Sequence, residues 1–488
     1  MQTGLSEDTA TQNKAFVHSG PFGGLTRNVF VTGLVSLLTD VSSEMIYPIL
    51  PLFLANVLGA GAVTIGLIEG IAESTASLLK VFSGWLSDRF GRRKPLMVAG
   101  YGFSNLIKPL LALSTVWWHV LGIRFADRVG KGIRGAPRDA LIADSTTQEV
   151  RGKAFGFHRT LDTIGAAIGP MAAFAILAAF QNDYRLVFVL SAIPGVLSVI
   201  VLVVFLRERR APRPRAKELP KLGFGSLGRP FLVFSLIATV FTLGNSSDAF
   251  LILRAQDLGL ATALVPIAYL TFNITYTLLA MPFGSLSDKI GRRAVIVGGY
   301  LVFAAVYLGF AFASAAWAVW GLFAAYGFYY ALTEGVQRAY VADLVPQNVR
   351  GSAMGTFNAL VGITALPASI VGGTLWQVIN PSATFVYGAA FAVLAALLLA
   401  VVPIRAARTY HITFYTKEGC TLCRGVEGTL AELQHEYRLR IDRRDITADP
   451  ALYEEYKEII PVVVIDDDIR LSGRITEGDM RRGLKRAS

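Results

Sequence analysis

Gly84-Trp-Leu-Ser-Asp88-Arg-Phe-Gly91-Arg92-Arg93 returns 200 residues later as Gly284-Ser-Leu-Ser-Asp288-Lys-Ile-Gly291-Arg292-Arg293. Two more matches keep that register. Ala143-Asp144, followed by Val150-Arg151-Gly152, recurs as Ala342-Asp343, followed by Val349-Arg350-Gly351, and Ser42-Ser43-Glu44 recurs as Ser246-Ser247-Asp248. One match is easily accidental. Three in order make the first four hundred residues a duplicated unit.

Charge tells which solvent that unit meets. Residues 1–408 hold 33 Lys+Arg and 20 Asp+Glu, whereas residues 409–488 hold 13 and 15 in a fifth of the length. The net +11 therefore divides into +13 for the long part and −2 for the tail. Residues 294–333 and 351–404 carry no charged side chain, and each is long enough for two crossings of about 20 residues. A water-soluble core of three ordinary domains is excluded. Twelve spans are expected at 28–53, 64–84, 96–115, 117–143, 155–179, 184–206, 231–252, 263–283, 295–314, 316–342, 353–375 and 383–404. They form a six-span bundle over 28–206 and a second over 231–404. A polar tail at 1–27 lacks a signal-peptide pattern, and a basic connector at 207–230 joins the bundles.

Alternate connections hold the cations: Arg89, Arg92, Arg93 and Lys94; Arg151 and Lys153; the connector; Lys289, Arg292 and Arg293; Arg350; Arg405 and Arg408. The opposite set holds only Arg185 and Arg254. The positive-inside rule places the first set, and with it both termini, in the cytoplasm. That topology accounts for the basic balance without nucleic acid, and a bacterial inner membrane is the expected location. In the repeated loop, Gly84 and Gly91 suit close packing and a sharp reversal. Asp88 suits a helix N-terminus, and the arginines suit an acid such as Asp144. A lock of that kind, or plain topological charge, explains the loop equally.

On these motifs residues 28–404 resemble the major facilitator superfamily, the twelve-span secondary transporters built from two six-span bundles. The family's loop pattern matches at Gly84, Leu86, Asp88, Arg89, Gly91, Arg92 and Arg93, with Asp288 and Arg292 in the second copy. Its span-four pattern matches at Arg128 and Gly132. Its antiporter-associated span-five pattern matches at Gly165, Gly169 and Pro170, although Ala172–Ala173 replaces the usual glycine pair. The resemblance implies alternating access, and the last departure weakens the implication of export.

Span four is the most informative stretch. At about 100° per residue, Arg124, Asp127, Arg128, Lys131, Arg134, Arg138 and Asp139 share one face. Such a face cannot meet lipid. It must line a wet cavity or meet the acids of neighbouring spans: Asp40 and Glu44, Glu69 and Glu73, and Asp162. Arg134, Arg138 and Asp139 read as snorkelling or gate-forming. Arg124, Arg128, Asp40 and Glu44 read as functional, because a carboxylate in low dielectric can take a proton near neutral pH. The second half offers only Asp248, Glu334 and Arg338. The last two, at i,i+4, form either a self-satisfied pair or a substrate contact. Aromatics there, among them Tyr269, Phe272, Tyr276, Tyr326, Tyr330 and Trp376, read mainly as packing, with apolar substrate surface expected in this half and ions in the first.

From Tyr410 the hydrophobic period becomes that of a strand. The expected order is βαβαββα, with strands at 411–416, 437–441, 462–465 and 469–471 and helices at 420–435, 450–458 and 476–485. The chain's only cysteines, Cys420 and Cys423, open the first of these helices, where the terminal N–H groups stabilise a Cys420 thiolate and Cys423 can resolve a mixed disulfide. Lys417 and Arg424 would assist. With only His411 and His435 nearby, a closed zinc site is not expected. Residues 410–486 resemble the glutaredoxin-like branch of the thioredoxin fold, with Ile460-Pro461 in the place of the family's cis-proline.

The expected protein is an α-helical membrane protein of two six-helix bundles with a small α/β thioredoxin-fold domain at 409–488. Its expected function is proton-coupled export of a small organic or anionic solute, with a cytoplasmic thiol-redox module. An anion importer is one alternative. Another is a tail that reduces a thiol conjugate or metalloid for export by the membrane part. No bound cofactor or metal is expected. The proton gradient would drive transport, and glutathione or another thiol reductant would serve the tail. The expected partners are the lipid bilayer, the solute and a cytosolic thiol.

Overall fold

Apolar runs that must satisfy their own backbone in lipid can do so only as helices or closed barrels, and here they are helices. The computed structural model describes residues 25–90, 93–146, 150–208, 227–346, 349–404, 409–434 and 437–487, with side chains 81, 84–90, 151, 152, 409 and 438 left outside the description. Gly91, Arg92, Arg405, Arg408, His435 and most of the basic connector, together with the side chains of Asp88, Arg89 and Arg151, therefore lie outside the described residues.

In the first half, α1 (Arg27–Ile46) and α2 (Leu50–Asn56) are followed by α3 (Ala62–Phe90) and α4 (Lys94–Ile107). Then come α5 (Trp117–Asp144), α6 (Arg151–Ala179), α7 (Tyr184–Leu190) and α8 (Ala192–Phe205). The second half runs through α9 (Gly228–Gly244), α10 (Ala249–Asp257), α11 (Val265–Ile290) and α12 (Arg292–Phe312) to α13 (Ala318–Leu344), α14 (Arg350–Val378) and α15 (Pro381–Val401).

Several spans read as continuous are interrupted. Pro48 stops α1 and Pro51 starts α2, since proline lacks an N–H and constrains the residue before it. Residues 245–248 divide α9 from α10, and a 3-10 turn at Lys108–Leu113, carrying Pro109, extends α4. Among the described residues, ten segments are long and apolar enough to cross a membrane. The chain is a multi-pass integral membrane protein. The two long helices outside that set are α5, which is charged, and α13, which is rich in tyrosine, and they end on the matching Ala143-Asp144 and Ala342-Asp343.

The repeated loop turns sharply where it is described in the second copy, with Gly291 at φ +94° between α11 and α12, a conformation that favours glycine. Close packing is not its general purpose, because a Cβ on Gly284 would meet nothing within 4 Å. The two cations on the sparsely charged side are helix caps. Arg185 donates to the carbonyls of Ala112 and Ser114 that end the 3-10 turn, and Arg254 donates to those of Phe310, Ala311 and Ala313 that end α12.

The halves meet through small residues. Gly66 and Gly373 lie against the backbone carbonyls of Ser369 and Ala62, and Ser74 Oγ donates to Gly362 O at 2.6 Å, so that α3 and α14 pack in antiparallel contact. Asn56 on α2 donates to Gln256 on α10 at 3.1 Å.

The chain divides into two compact units, one of Met1–Lys221, Leu236–Gln337 and Phe357–Val401, the other of Leu222–Ser235, Arg338–Thr356 and Val402–Ser488. In the second, β1 (Thr409–Thr416), α16 (Thr421–Leu433), β2 (Arg438–Asp445), α17 (Pro450–Tyr456), β3 (Val462–Ile465), β4 (Ile469–Ser472) and α18 (Glu477–Arg486) follow the expected order. Strand β2 runs four residues further than expected. The sheet order is β2-β1-β3-β4, with β1 parallel to β2 and the other pairs antiparallel. Strand alternation sends Ile412, Phe414, Val463 and Ile465 against α16 and α18, and sends Tyr415, Val462 and Val464 to the side of Ile446 and Tyr456.

Candidate functional site

Two i,i+4 acids on α3 meet two i,i+4 arginines on α5. One Arg124 nitrogen reaches both Glu69 carboxylate oxygens, at 2.9 and 2.6 Å, and Arg128 Nη2 lies 3.0 Å from Glu73 Oε1. The helices run in parallel, so an equal spacing on each makes two rungs of one ladder. Glu69 and Arg124 are both buried. Asp127, one turn along, accepts from Ser104 Oγ at 2.5 Å and lies 3.7 Å from Arg124.

On α1 the pair Asp40 and Glu44 is held by glycines. A Cβ on Gly165 would come within 2.6 Å of Leu37 O and 3.0 Å of the Asp40 Cβ. One on Gly169 would lie 2.7 Å from the Glu44 Cβ. The antiporter-like stretch thus brings the α6 backbone directly against the turn that carries both acids, with Pro170 inside the helix just beyond. Asp40 makes no hydrogen bond or ion pair among the described residues, and Glu44 Oε2 is buried without a partner.

These groups share a cavity of about 210 Å³. Asp40, Ser43, Glu44 and Tyr47 enter it from α1 and its end, Glu73 from α3, and Lys108 and Leu111 from the 3-10 turn. Arg124, Asp127, Arg128, Lys131 and Arg134 enter from α5, and Tyr269 enters from α11 of the other half. Lys108, not singled out in the sequence, is buried and donates to Ser43 Oγ at 3.0 Å. Proline next to it, breaking the helix, was the signal available. Arg134 stacks on Tyr101 at 4.4 Å.

One expectation changes. Among the described residues Asp162 makes no ion pair with the cations of α5. It lies 3.5 Å from His158 on its own helix, because i,i+4 neighbours on one helix are closer than the next one. Arg138 pairs with adjacent Asp139 at 2.9 Å and reaches toward Ser36. Glu334 accepts a hydrogen bond from Tyr276, which in turn accepts one from Arg159 at 3.1 Å. Arg159, on α6, belongs to no charged helix face and gave no sequence signal. Asp248 accepts from Tyr326 at 2.6 Å, and the surrounding aromatics pack on one another, as Phe272 on Tyr330 at 5.1 Å. Of the loop residues, Arg93 lies 2.5 Å from Asp144 and Arg292 3.0 Å from Asp288.

In the tail, Cys420 caps α16 and is disulfide-bonded to Cys423. The Cys423 N–H donates to the Cys420 sulfur at 3.2 Å, and Cys423 is the more deeply buried. The Ile460–Pro461 bond is cis. No His, Cys, Asp and Glu cluster suited to a metal occurs among the described residues.

The sequence model of the Major Facilitator Superfamily matches residues 32–253 and 232–420, and that of a glutaredoxin-like domain (DUF836) matches residues 411–485. The chain is 41% identical over 381 residues to an uncharacterized MFS-type transporter of Methanocaldococcus jannaschii, covering 77% of this chain and 94% of that one. It is 28% identical over 293 residues to a multi-drug resistance efflux pump of Streptococcus pneumoniae, covering 58% and 72%. Among solved structures, a POT family transporter superposes with a TM-score of 0.68 at 13% identity, over 80% of this chain and 98% of that one. A likeness at that identity speaks for the fold alone.

Proposed function

Because this chain belongs to the major facilitator superfamily and carries a glutaredoxin-like domain at 411–485, we propose that it is a proton-coupled secondary transporter exporting a small organic or anionic solute. In this reading α5 and α13 complete twelve spans, both termini face the cytoplasm of a bacterial inner membrane, and the halves alternate access to the cavity. Efflux pumps among the relatives favour export.

The observation that carries the coupling is the position of Asp40 and Glu44. They have no ion-pair partner among the described residues, they line the cavity, and they sit on the α1 turn fixed against Gly165 and Gly169. A carboxylate so placed can bind and release a proton as access alternates, while Arg124 and Arg128 stay paired with Glu69 and Glu73. The Asp40→Asn and Glu44→Gln variants, singly and together, test it in proteoliposomes under an imposed pH gradient. Solute binding should persist and gradient-driven transport should vanish. Transport that still follows the gradient in the double variant removes both residues from the coupling role. Solute accumulation in cells with and without the chain separates export from anion import.

The tail acts, in the same reading, as a dithiol module. The Cys420 thiolate attacks a partner disulfide, and one partner sulfur leaves as a thiol. Cys423 then displaces the other, closing the Cys420–Cys423 disulfide, which glutathione or another thiol reductant reopens with two electrons. The place of Cys420 as N-cap of α16 and the deeper burial of Cys423 support this assignment. In the reduced full-length protein, alkylation at mildly acidic pH should label Cys420 first, and Cys423→Ser should trap a mixed disulfide. Equal labelling with an ordinary thiol pH profile would leave the tail without this chemistry.

A further inference from the structure

Both halves carry Ser-Ser-acid at the same place in the repeat, and the two copies are answered differently. In the first, Ser42-Ser43-Glu44 lies within continuous α1, and the Lys108 ammonium donates to Ser43 Oγ at 3.0 Å. In the second, Ser246-Ser247-Asp248 lies in the break between α9 and α10, inside one membrane-length segment, Gly228–Asp257. The 200-residue register of the repeat puts Leu308, next to the buried Tyr307, where the first half has Lys108. Asp248 makes no ion pair among the described residues. Tyr326 donates to it at 2.6 Å, and Tyr307, Tyr329 and Tyr330 lie within its electrostatic reach. The charged side chains that act most strongly on it are Glu73 and Glu69, further acids, already matched by Arg128 and Arg124.

The break also supplies oxygen. Asn245 spends its amide nitrogen on Tyr329 at 3.4 Å, which leaves Oδ1 buried without a partner, and Ser246 Oγ is buried without one too. The carbonyls of Leu243, Asn245 and Ser246 accept no hydrogen bond among the described residues. Glycines hold the segment in place: a Cβ on Gly372 would come within 2.8 Å of the Ser246 Cβ, and one on Gly244 within 2.9 Å of Gly388 O. Unpaired backbone groups inside a span are costly unless they line a site, and a broken helix can turn them toward a cation.

We infer that the α9–α10 break is a binding site for one small monovalent cation of the sodium type, held by Asp248, Asn245 Oδ1, Ser246 Oγ and the free carbonyls of the break. The ion answers Asp248 as Lys108 answers Glu44 in the first half. Carboxylate and carbonyl oxygens suit a hard cation. One carboxylate balances a single charge, whereas a divalent ion would leave an uncompensated charge in low dielectric. The inference goes beyond the proton-coupled reading and does not rest on it.

The test titrates the purified full-length protein in lipid nanodiscs with sodium chloride against choline chloride, at constant ionic strength and pH. Sodium should raise the melting temperature saturably, and choline, too large to enter the break, should not. Asp248→Asn should abolish the shift. Ser246→Ala removes one ligand and little volume, and should weaken the apparent sodium affinity about tenfold, the loss expected of one contact. The sodium-free melting temperature of each variant reports its folding. No sodium shift in the parent, an equal shift with choline, or a shift that survives Asp248→Asn or keeps its full affinity in Ser246→Ala would each overturn the site. A melting temperature that follows pH and ignores sodium would give Asp248 a proton instead, and would overturn it as well.

Discussion

Helices α5 and α13 occupy matching positions in the two halves, yet they answer neighbouring acids by different means. In the first half the partners are guanidinium groups, Arg124 to Glu69 and Arg128 to Glu73. In the second the partner is a phenol, Tyr326 to Asp248. A guanidinium cancels charge as well as donating hydrogen bonds, whereas a phenol only donates. Duplication preserved the scaffold and its loops while the chemistry of the interior diverged. The first half became an ionic chamber, and the second an aromatic wall that reaches it through Tyr269.

The largest difference should appear on removing one partner from each arrangement. Glu69→Ala leaves Arg124 buried with only Asp127 at 3.7 Å, and breaking a buried pair in this way costs about 3–5 kcal/mol. Tyr326→Phe removes one hydrogen bond to a carboxylate, worth about 1.5–3 kcal/mol. Reversible unfolding in mixed micelles measures both. Equal losses would mean that the phenol does as much for Asp248 as the guanidinium does for Glu69, and the contrast between the halves would fall.

A smaller effect separates the glycines. Gly169→Ala drives a methyl against the Glu44 Cβ and Val41 O, at 2.7 and 2.9 Å, an overpacking of about 1–3 kcal/mol. Gly284→Ala meets open space and should stabilise its helix by about 0.5–1 kcal/mol. Melting temperatures of the two variants should move in opposite directions. A fall in both would show that Gly284 has a packing role the geometry does not reveal.

Much of this was legible because helical spacing is arithmetic. Glu69 and Glu73, like Arg124 and Arg128, are four apart, so each pair had to share a face, and the cost of charge in lipid forced the faces together. The family motif singled out Gly165 and Gly169, but neither their close packing nor the Asp40 and Glu44 turn it is made against. What stayed hidden depended on three-dimensional accident. Lys108 is a lone charge in an apolar run, and only the 3-10 turn at Pro109 carries it into the cavity. Arg159 reaches Tyr276 across the boundary between halves, which no spacing within one helix encodes. The breaks after Ile46 and Gly244 were signalled by Pro48 and by the Gly-Asn step, but hydropathy averaged over a span blurs both.

The smallest stability effect is expected where the sequence repeat is strongest, in the loops. Arg93 with Asp144 and Arg292 with Asp288 are both partly exposed pairs, with carboxylate side chains 53% and 62% accessible. Solvent and salt screen such pairs, so Asp144→Asn and Asp288→Asn should each cost about 0–1 kcal/mol, and less as salt is raised. Their consequences for transport should nevertheless differ. Asp144 ends α5, and Arg93 stands immediately before α4, so this bridge ties α4 to a helix that lines the cavity. Asp288 and Arg292 are four residues apart, on either side of the Gly291 turn, and their bridge constrains only the corner between consecutive helices. A lock between helices has to open if they move, whereas a brace at one corner can ride with it. Asp144→Asn should therefore change the transport rate at unchanged stability, with Asp288→Asn close to the parent on both measures. Equal rates in the two variants would make Arg93–Asp144 a surface pair like its counterpart, and would leave the difference between the halves confined to the interior.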